Sequence, residues 1–280
     1  MSDYHCLVAG LPDVAFDGSK VNFSIERFKE DIYTALSKED AAKIDLFFYA
    51  WDNENIIDIL RKGADVEMSR PGCYSQEELV ELISSVKNGD ARTADFPAYM
   101  YDFLEYYFEN EERNDVMFED VLAAYYYNYA VACGNNFLSE WFAFNRNLNN
   151  LQVAYLARKF KMNIAECVVG DDEITETIRT SNARDFGLSG TLDYLETVQR
   201  LCENDKLLER EHMFDELRWN WLDDNSVFLY FSIERLFVFL QKLDIVMRWA
   251  KLDAEKGMAR YKELIEELKG GLTINDEDYQ

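Results

Sequence analysis

The stretch FNRNLNNLQVAYLARKF, Phe144 to Phe160, crowds four asparagines (Asn145, Asn147, Asn149 and Asn150) ahead of a clean apolar stripe and closes on a basic pair, Arg158 and Lys159. WDNENIIDILRK, Trp51 to Lys62, is a worn copy of it. Asp52-x-x-Asn55-Ile56-x-x-x-Leu60 can be laid over Asn147-x-x-Asn150-Leu151-x-x-x-Tyr155, and a fainter third copy is Ser232-x-x-Arg235-Leu236-x-x-x-Leu240. In each, a short polar residue stands about one turn before an apolar one, with another apolar residue a turn later. The pattern predicts that Asp52, Asn55, Asn147 and Asn150 are structural caps at helix starts, accepting from free backbone N–H groups. The apolar pair at i, i+4 then faces the core, and the basic ends complement the negative helix terminus.

The two clear copies begin 95 residues apart and the third follows after 85. Repetition on that scale suggests three duplicated helical subdomains, about 1–95, 96–190 and 191–270, within a single all-α chain, followed by an acidic tail at 271–280. Any capped amphipathic helix shares part of this pattern, and the basic pairs are offset by two residues between the copies.

Composition points to the same class. Of 280 residues, 48% are apolar and 15% aromatic, ample for a core. Only three prolines and twelve glycines punctuate the chain, which favours long helices over a turn-rich β fold. SIERFKEDIYTALS places Ile25, Phe28, Ile32 and Leu36 on one face behind Ser24 as N-cap; a second start falls at Ser37, and Ser75 with Glu78 forms a capping box. Further helices are expected over about 97–110, 115–133, 137–149, 150–162, 189–202 and 205–220. The run from Ser226 to Asp253 is apolar nearly all round and predicts a central buried helix. HCLVAG, residues 5–10, is the sole strand-like piece and reads as an extended segment.

Fifty-four acidic against 29 basic residues give a formal charge of −25. Nucleic acid, which is bound through lysine and arginine, is excluded as a partner. Five scattered cysteines without C-x-x-C spacing and only two histidines argue against a disulfide scaffold or a zinc site. The N-terminus lacks the basic and apolar regions of a signal peptide, and Val121–Ser139, although uncharged, is too polar to span a membrane. These features predict a cytoplasmic protein.

No motif carries chemistry. Gly18-Ser19-Lys20 has phosphate-loop ingredients in the wrong order and reads as a turn. His212 lies among charges on a helix and reads as solvated. Asp171 and Asp172 read as first-turn acids. No catalytic, cofactor-binding or metal-ligating residue is therefore expected. The aromatics Trp51, Tyr125, Tyr126 and Trp141 are candidates for a protein interface, because aromatics concentrate at such surfaces.

The N-terminal YHCLVAGLPDV, the DNENIIDILRK and NLNNLQVAYLARKF segments, and the ending FLQKLDIVMRWAKLDAEKGMARYKELIEEL resemble a bacterial family of unassigned biochemistry. That family is encoded beside V/A-type ATPase subunits, at the place where the C-subunit would be expected. The C-subunit is an all-helical, funnel-like protein of three similar subdomains whose repeats also carry D-x-x-N-L-type helix starts followed by Arg/Lys, which Asp52–Lys62 resembles with Ile56 in the last place, while the second copy departs with Asn147 for Asp. The resemblance implies a non-catalytic part of an ion-transporting rotary motor, coupling the rotor axle subunits to the membrane proteolipid ring. It places the chain at the inner face of the cell membrane, held there by protein partners. Two other readings stay open: a soluble helical scaffold or assembly factor, and a metal-dependent all-α enzyme.

Overall fold

The computed structural model describes residues 4–16, 22–68, 70–113 and 117–271, with side chains as far as residue 252. Gly18-Ser19-Lys20 and the acidic tail beyond Gly271 lie outside the described residues. The described residues contain helices and no strand. The first units are α1 (His5–Ala9), α2 (Ile25–Asp31), a 3-10 turn at Tyr33–Ala35, and α3 (Lys38–Lys62). They are followed by α4 (Gln76–Asn88), α5 (Ala98–Asn110), α6 (Phe118–Val131) and α7 (Asn136–Phe160). The chain continues through α8 (Ile164–Cys167), α9 (Glu173–Thr180), α10 (Leu195–Cys202), α11 (Leu207–Ser226) and α12 (Ile233–Gly271).

Local chemistry sets many of the starts. The Ser24 side chain accepts from the Arg27 amide, Ser37 from Asp40 and Ser75 from Glu78, and the Glu78 carboxylate returns the bond to the Ser75 amide. Asn135 caps α7 and Asp172 caps α9 in the same way. At Ser37 the cap is itself buttressed. Asp40 accepts from the Tyr4 hydroxyl at 2.6 Å, from Ser37 at 3.0 Å and from Lys43 at 2.9 Å. Burial raises its carboxyl, but these donors outweigh burial and hold it at about 2.

Two central helices of 25 residues each, α3 and α7, organise the packing. Both are buried nearly all round. Leu46 to Tyr49 in α3 and Phe144 to Leu148 in α7 are consecutive buried residues. This is the pattern of a helix covered on every side rather than one lying on a core. α6 packs against both of them; α12 and α4 also cover α3, and α9, α10 and α11 cover α7. One apolar cluster runs from Tyr4 to Leu243 and continues through both expected subdomain boundaries, with Phe28, Phe48, Phe103, Phe186, Phe214 and Phe237 fully enclosed. The N-terminal end is tied to the last quarter of the chain by the Tyr4 amide, which donates to the Phe231 carbonyl at 2.9 Å, and α12 packs on α2 and α3.

Four expectations need correction. Residues 5–9 are helical, because with no strand beside them they close their hydrogen bonds locally, Gly10 N–H donating to Cys6 and Leu7. The expected break between 149 and 150 is absent: the asparagines there bond to other elements and leave the helical ladder intact. The buried helix expected from Ser226 begins only at Ile233. Val227 to Phe231 form a loop in which Phe228 is 84% and Tyr230 63% exposed. Residues 189–194 are turns ahead of α10.

Leu148→Ala should cost about 2–5 kcal/mol, the range for emptying a sealed core site, whereas Ser75→Ala, at an exposed cap, should cost about 1 kcal/mol. Urea unfolding with both variants checks the contrast.

Candidate functional site

Asp52, Asn55, Asn147 and Asn150 are not caps. They lie in the second half or middle of α3 and α7, all buried. A short polar side chain inside a sealed helix must find its partners on another element, and here three of the four find them on the backbone of the loop that follows. The Asp52 carboxylate accepts from the amides of Cys73 at 2.8 Å and Tyr74 at 3.3 Å. Asn55 Nδ2 donates to the Arg70 carbonyl at 2.9 Å. In α7, Asn150 accepts from the Val169 amide at 2.9 Å and donates to the Val169 carbonyl at 2.7 Å and to Thr175 Oγ1 at 3.2 Å. Each anchored loop leads directly into a capped helix, α4 behind Ser75 and α9 behind Asp172. The duplication read in the sequence therefore corresponds to a shared device, a mid-helix anchor for the next connection.

The other asparagines of the opening stretch take different neighbours. Asn145 and Asn149 both accept from the Arg218 guanidinium of α11, at 3.1 and 2.9 Å, and Asn149 donates to the Tyr127 hydroxyl at 3.0 Å. Asn147 Oδ1 is buried without a hydrogen-bond partner. Arg146 pairs with Asp172 at 3.1 Å, joining α7 to the cap of α9. In the third copy, Ser232 directly precedes α12, and Arg235 donates to Ser226 Oγ at 3.3 Å.

Each anchored loop carries a glycine pressed against the anchoring helix. A Cβ at Gly72 would overlap the Asp52 carboxylate, and one at Gly170 would meet Arg146 Cδ at 3.2 Å and Thr175 Oγ1 at 3.4 Å. Lys29 seals the first loop from outside, its ammonium donating to the carbonyls of Pro71 and Gly72 and lying 4.0 Å from the centre of the Phe48 ring. Asp45 accepts from the Cys73 thiol at 3.4 Å. Burial pushes both Asp45 and Asp52 up to about 6, against the lowering effect of their hydrogen bonds and of Lys29, and burial lowers Lys29.

Three of the four candidate interface aromatics come together, but inside the protein. Trp51, Tyr126 and Trp141 are buried and line one cavity of about 190 Å³ between α3, α6, α7 and α12. Tyr126 donates its hydroxyl to the Leu46 carbonyl at 2.7 Å. The Arg70 guanidinium lies 5.2 Å from the Trp51 ring centre and 3.6 Å from Asp244, whose carboxyl is raised by burial. Tyr125 is turned away, half-buried near Asp102, Tyr106 and Glu109 of α5. Trp51, Tyr126 and Trp141 are packing groups whose rings fill the junction of four helices.

Arg70, Gly72, Arg218, Thr175 and Asp244 were not singled out by sequence. Only Pro71-Gly72, one of few proline-glycine signals in the chain, could have flagged the close approach to α3. His212 is exposed, as expected, yet sits between Phe16 and Trp249 with ring centres at 4.7 and 5.1 Å. Among the described residues no group of three or more His, Cys, Asp or Glu side chains is placed to hold a metal ion, and no helix is long and apolar enough to cross a membrane.

Fold and site together define an all-α protein in which two long central helices clamp the connections that follow them. The chain belongs to the family described as "Protein of unknown function (DUF2764)", whose profile matches residues 1–272. No curated protein and no solved structure matches it.

Asp52→Ala leaves two amides without an acceptor and should cost about 2–4 kcal/mol. Asp52→Asn keeps one of the two acceptor oxygens but turns an amide donor toward the other N–H, and should cost an intermediate amount; denaturant midpoints decide. Because the folded-state pKa of Asp52 is raised, its contribution to stability is complete below the ordinary carboxylate value of 3.8 and is lost as pH rises through about 6. The thermal midpoint should therefore fall between about pH 4 and 6 in the parent chain, and fall less steeply in Asp52→Asn. Gly72→Ala should destabilise by about 1–3 kcal/mol through forced separation of loop and helix.

Proposed function

We propose that this chain is a non-catalytic, C-subunit-like component of a bacterial V/A-type rotary ATPase, coupling the rotor axle subunits to the membrane proteolipid ring. The observation that carries the reading is the duplicated anchor. The blocks that resemble the ATPase-associated family contain Asn55 and Asn150, which occupy the same place in the two copies and each donate to a carbonyl of the connection that follows, in two helices of equal length. A part that transmits torque needs stiffness and grip rather than a reactive group. Buried polar clamps supply stiffness, because each ties a loop to the middle of a helix through bonds that are costly to break in a dry interior.

A second feature supports a role in assembly. The exposed loop from Val227 to Phe231 presents Phe228 and Tyr230 to solvent, and apolar surface concentrated in this way marks interaction sites. Attachment to the inner face of the cell membrane would then run through protein partners, and the −25 charge would favour basic surfaces on them.

The test is to tag the chain at its C-terminus in its native host, solubilise membranes gently and identify what copurifies. The expected outcome is stoichiometric recovery of the catalytic-head, axle and proteolipid subunits, decreasing as salt is raised. A soluble, partner-free product would overturn the coupling role and favour a free-standing scaffold or assembly factor.

A further inference from the structure

The rings at the junction of α3, α6, α7 and α12 wall a cavity of about 190 Å³. Phe47, Trp51, Tyr126, Trp141 and Phe142 form its inside and are all buried. Its mouth is lined by Glu54, which is exposed, and by Arg70, Gln241 and Asp244, which are half-buried. The face of an aromatic ring attracts cations, most strongly where water is excluded. Arg70 uses one edge of this wall, its guanidinium 5.2 Å from the Trp51 ring centre. Among the described residues, no lysine or arginine stands over Phe47, Tyr126, Trp141 or Phe142. Asp244 supplies the charge. Its side chain keeps 22% exposure, so a solute entering the mouth can touch it. Arg70 stands 3.6 Å from it, farther than the about 2.7–2.9 Å of a charge-assisted hydrogen bond. Burial and the neighbouring Asp215 raise its carboxyl against the pull of Arg70 and Arg248.

We propose that this cavity binds a small alkylated ammonium ion, its methyl groups against the rings of Trp51, Tyr126 and Trp141 and its charge facing Asp244. Aromatic walls with a carboxylate at one side are the chemistry that recognises such ions. The size agrees, since an apolar cavity of about 150 Å³ admits benzene. An anion would meet two carboxylates at the mouth, and a neutral apolar solute would gain nothing from Asp244. Arg70 is the resident competitor, which the ligand displaces toward solvent. The site is independent of the coupling role.

The test is calorimetric titration of the full chain with choline, its neutral carbon isostere dimethylbutanol and the matching anion dimethylbutanoate. Choline should bind, the isostere should bind at least about tenfold more weakly, and the anion should not bind. Glycerophosphocholine separates the sources: if it binds as tightly as choline, the ligand is a lipid headgroup, and if it fails, a free cation. Asp244→Asn, which keeps the shape of the side chain, should weaken choline about tenfold or more. Two variants at the mouth should tighten it: Arg70→Met removes the competitor, and Gln241→Glu adds a carboxylate. Circular dichroism confirms that each variant is folded. Glu77→Gln with Glu81→Gln, on an exposed stretch of α4, should leave the affinity unchanged. Equal affinity for the neutral isostere, no effect of Asp244→Asn, equal weakening by the control pair, or no binding of choline would each overturn the proposal.

Discussion

The structure depends on one constraint: a polar side chain sealed inside a central helix has to be answered by the backbone of another segment. Asp52 and Asn150 sit where no water reaches them, so the amides of Cys73, Tyr74 and Val169 are drawn onto α3 and α7. Once these contacts form, the path of each connection is settled to within a hydrogen-bond length, and the helix that follows starts at a defined place. Glycine at 72 and at 170 is the geometric price of that approach. The aromatic packing around α3 and α7 supplies most of the burial energy, but apolar contacts are non-directional and would tolerate several arrangements of the loops. The polar anchors select one.

The two anchors differ in charge, and the difference has a physical meaning. Asp52 accepts two backbone donors and needs none itself, so a carboxylate suits its place, at the cost of desolvating a charge that Lys29 and the loop amides only partly offset. Asn150 faces both an amide and a carbonyl of the same residue, Val169, and only a group with a donor and an acceptor can answer both. In the register of the two sequence copies Asn55 stands opposite Asn150, and each donates to a carbonyl of the connection that follows; Asp52 stands opposite Asn147, whose Oδ1 has no partner, so the copies share the asparagine anchor and diverge at the other one.

Helices whose starts rest on local chemistry were legible in the sequence. Ser24, Ser37 and the Ser75–Glu78 pair cap where the spacing places them, because each cap bonds within its own first turn. The mid-helix anchors were misread for a related reason. Asp and Asn are favoured both at caps and in buried polar contacts, and what separates the two roles is whether the preceding residues are already helical, which neighbouring helices decide. The same limit explains the aromatics. Trp51, Tyr126 and Trp141 belong to residue types found in cores and interfaces alike, and only the convergence of α3, α6, α7 and α12 makes them internal. In the opposite direction, the apolar run at Val227–Phe231 resembles a core helix, but among the described residues it is left largely uncovered, with Phe228 and Tyr230 exposed. Arg70 and Asp244 escaped notice because their pairing spans most of the chain.

The closure of α12 over α2 and α3 also bears on how the protein is made. These contacts join the first quarter of the chain to the last, so the face of α3 that meets α12 stays uncovered until residues near Val246 leave the ribosome. At synthesis rates of about 5–20 residues per second, that leaves α3 partly bare for roughly 10–40 s after it emerges. Its exposed surface during that interval includes Phe47 and Trp51, which border the junction with α12, aromatic surface of the kind that draws chaperones and invites aggregation. A chain truncated before α12 would remain in that state permanently, so the integrity of the last quarter of the sequence controls the solubility of the first.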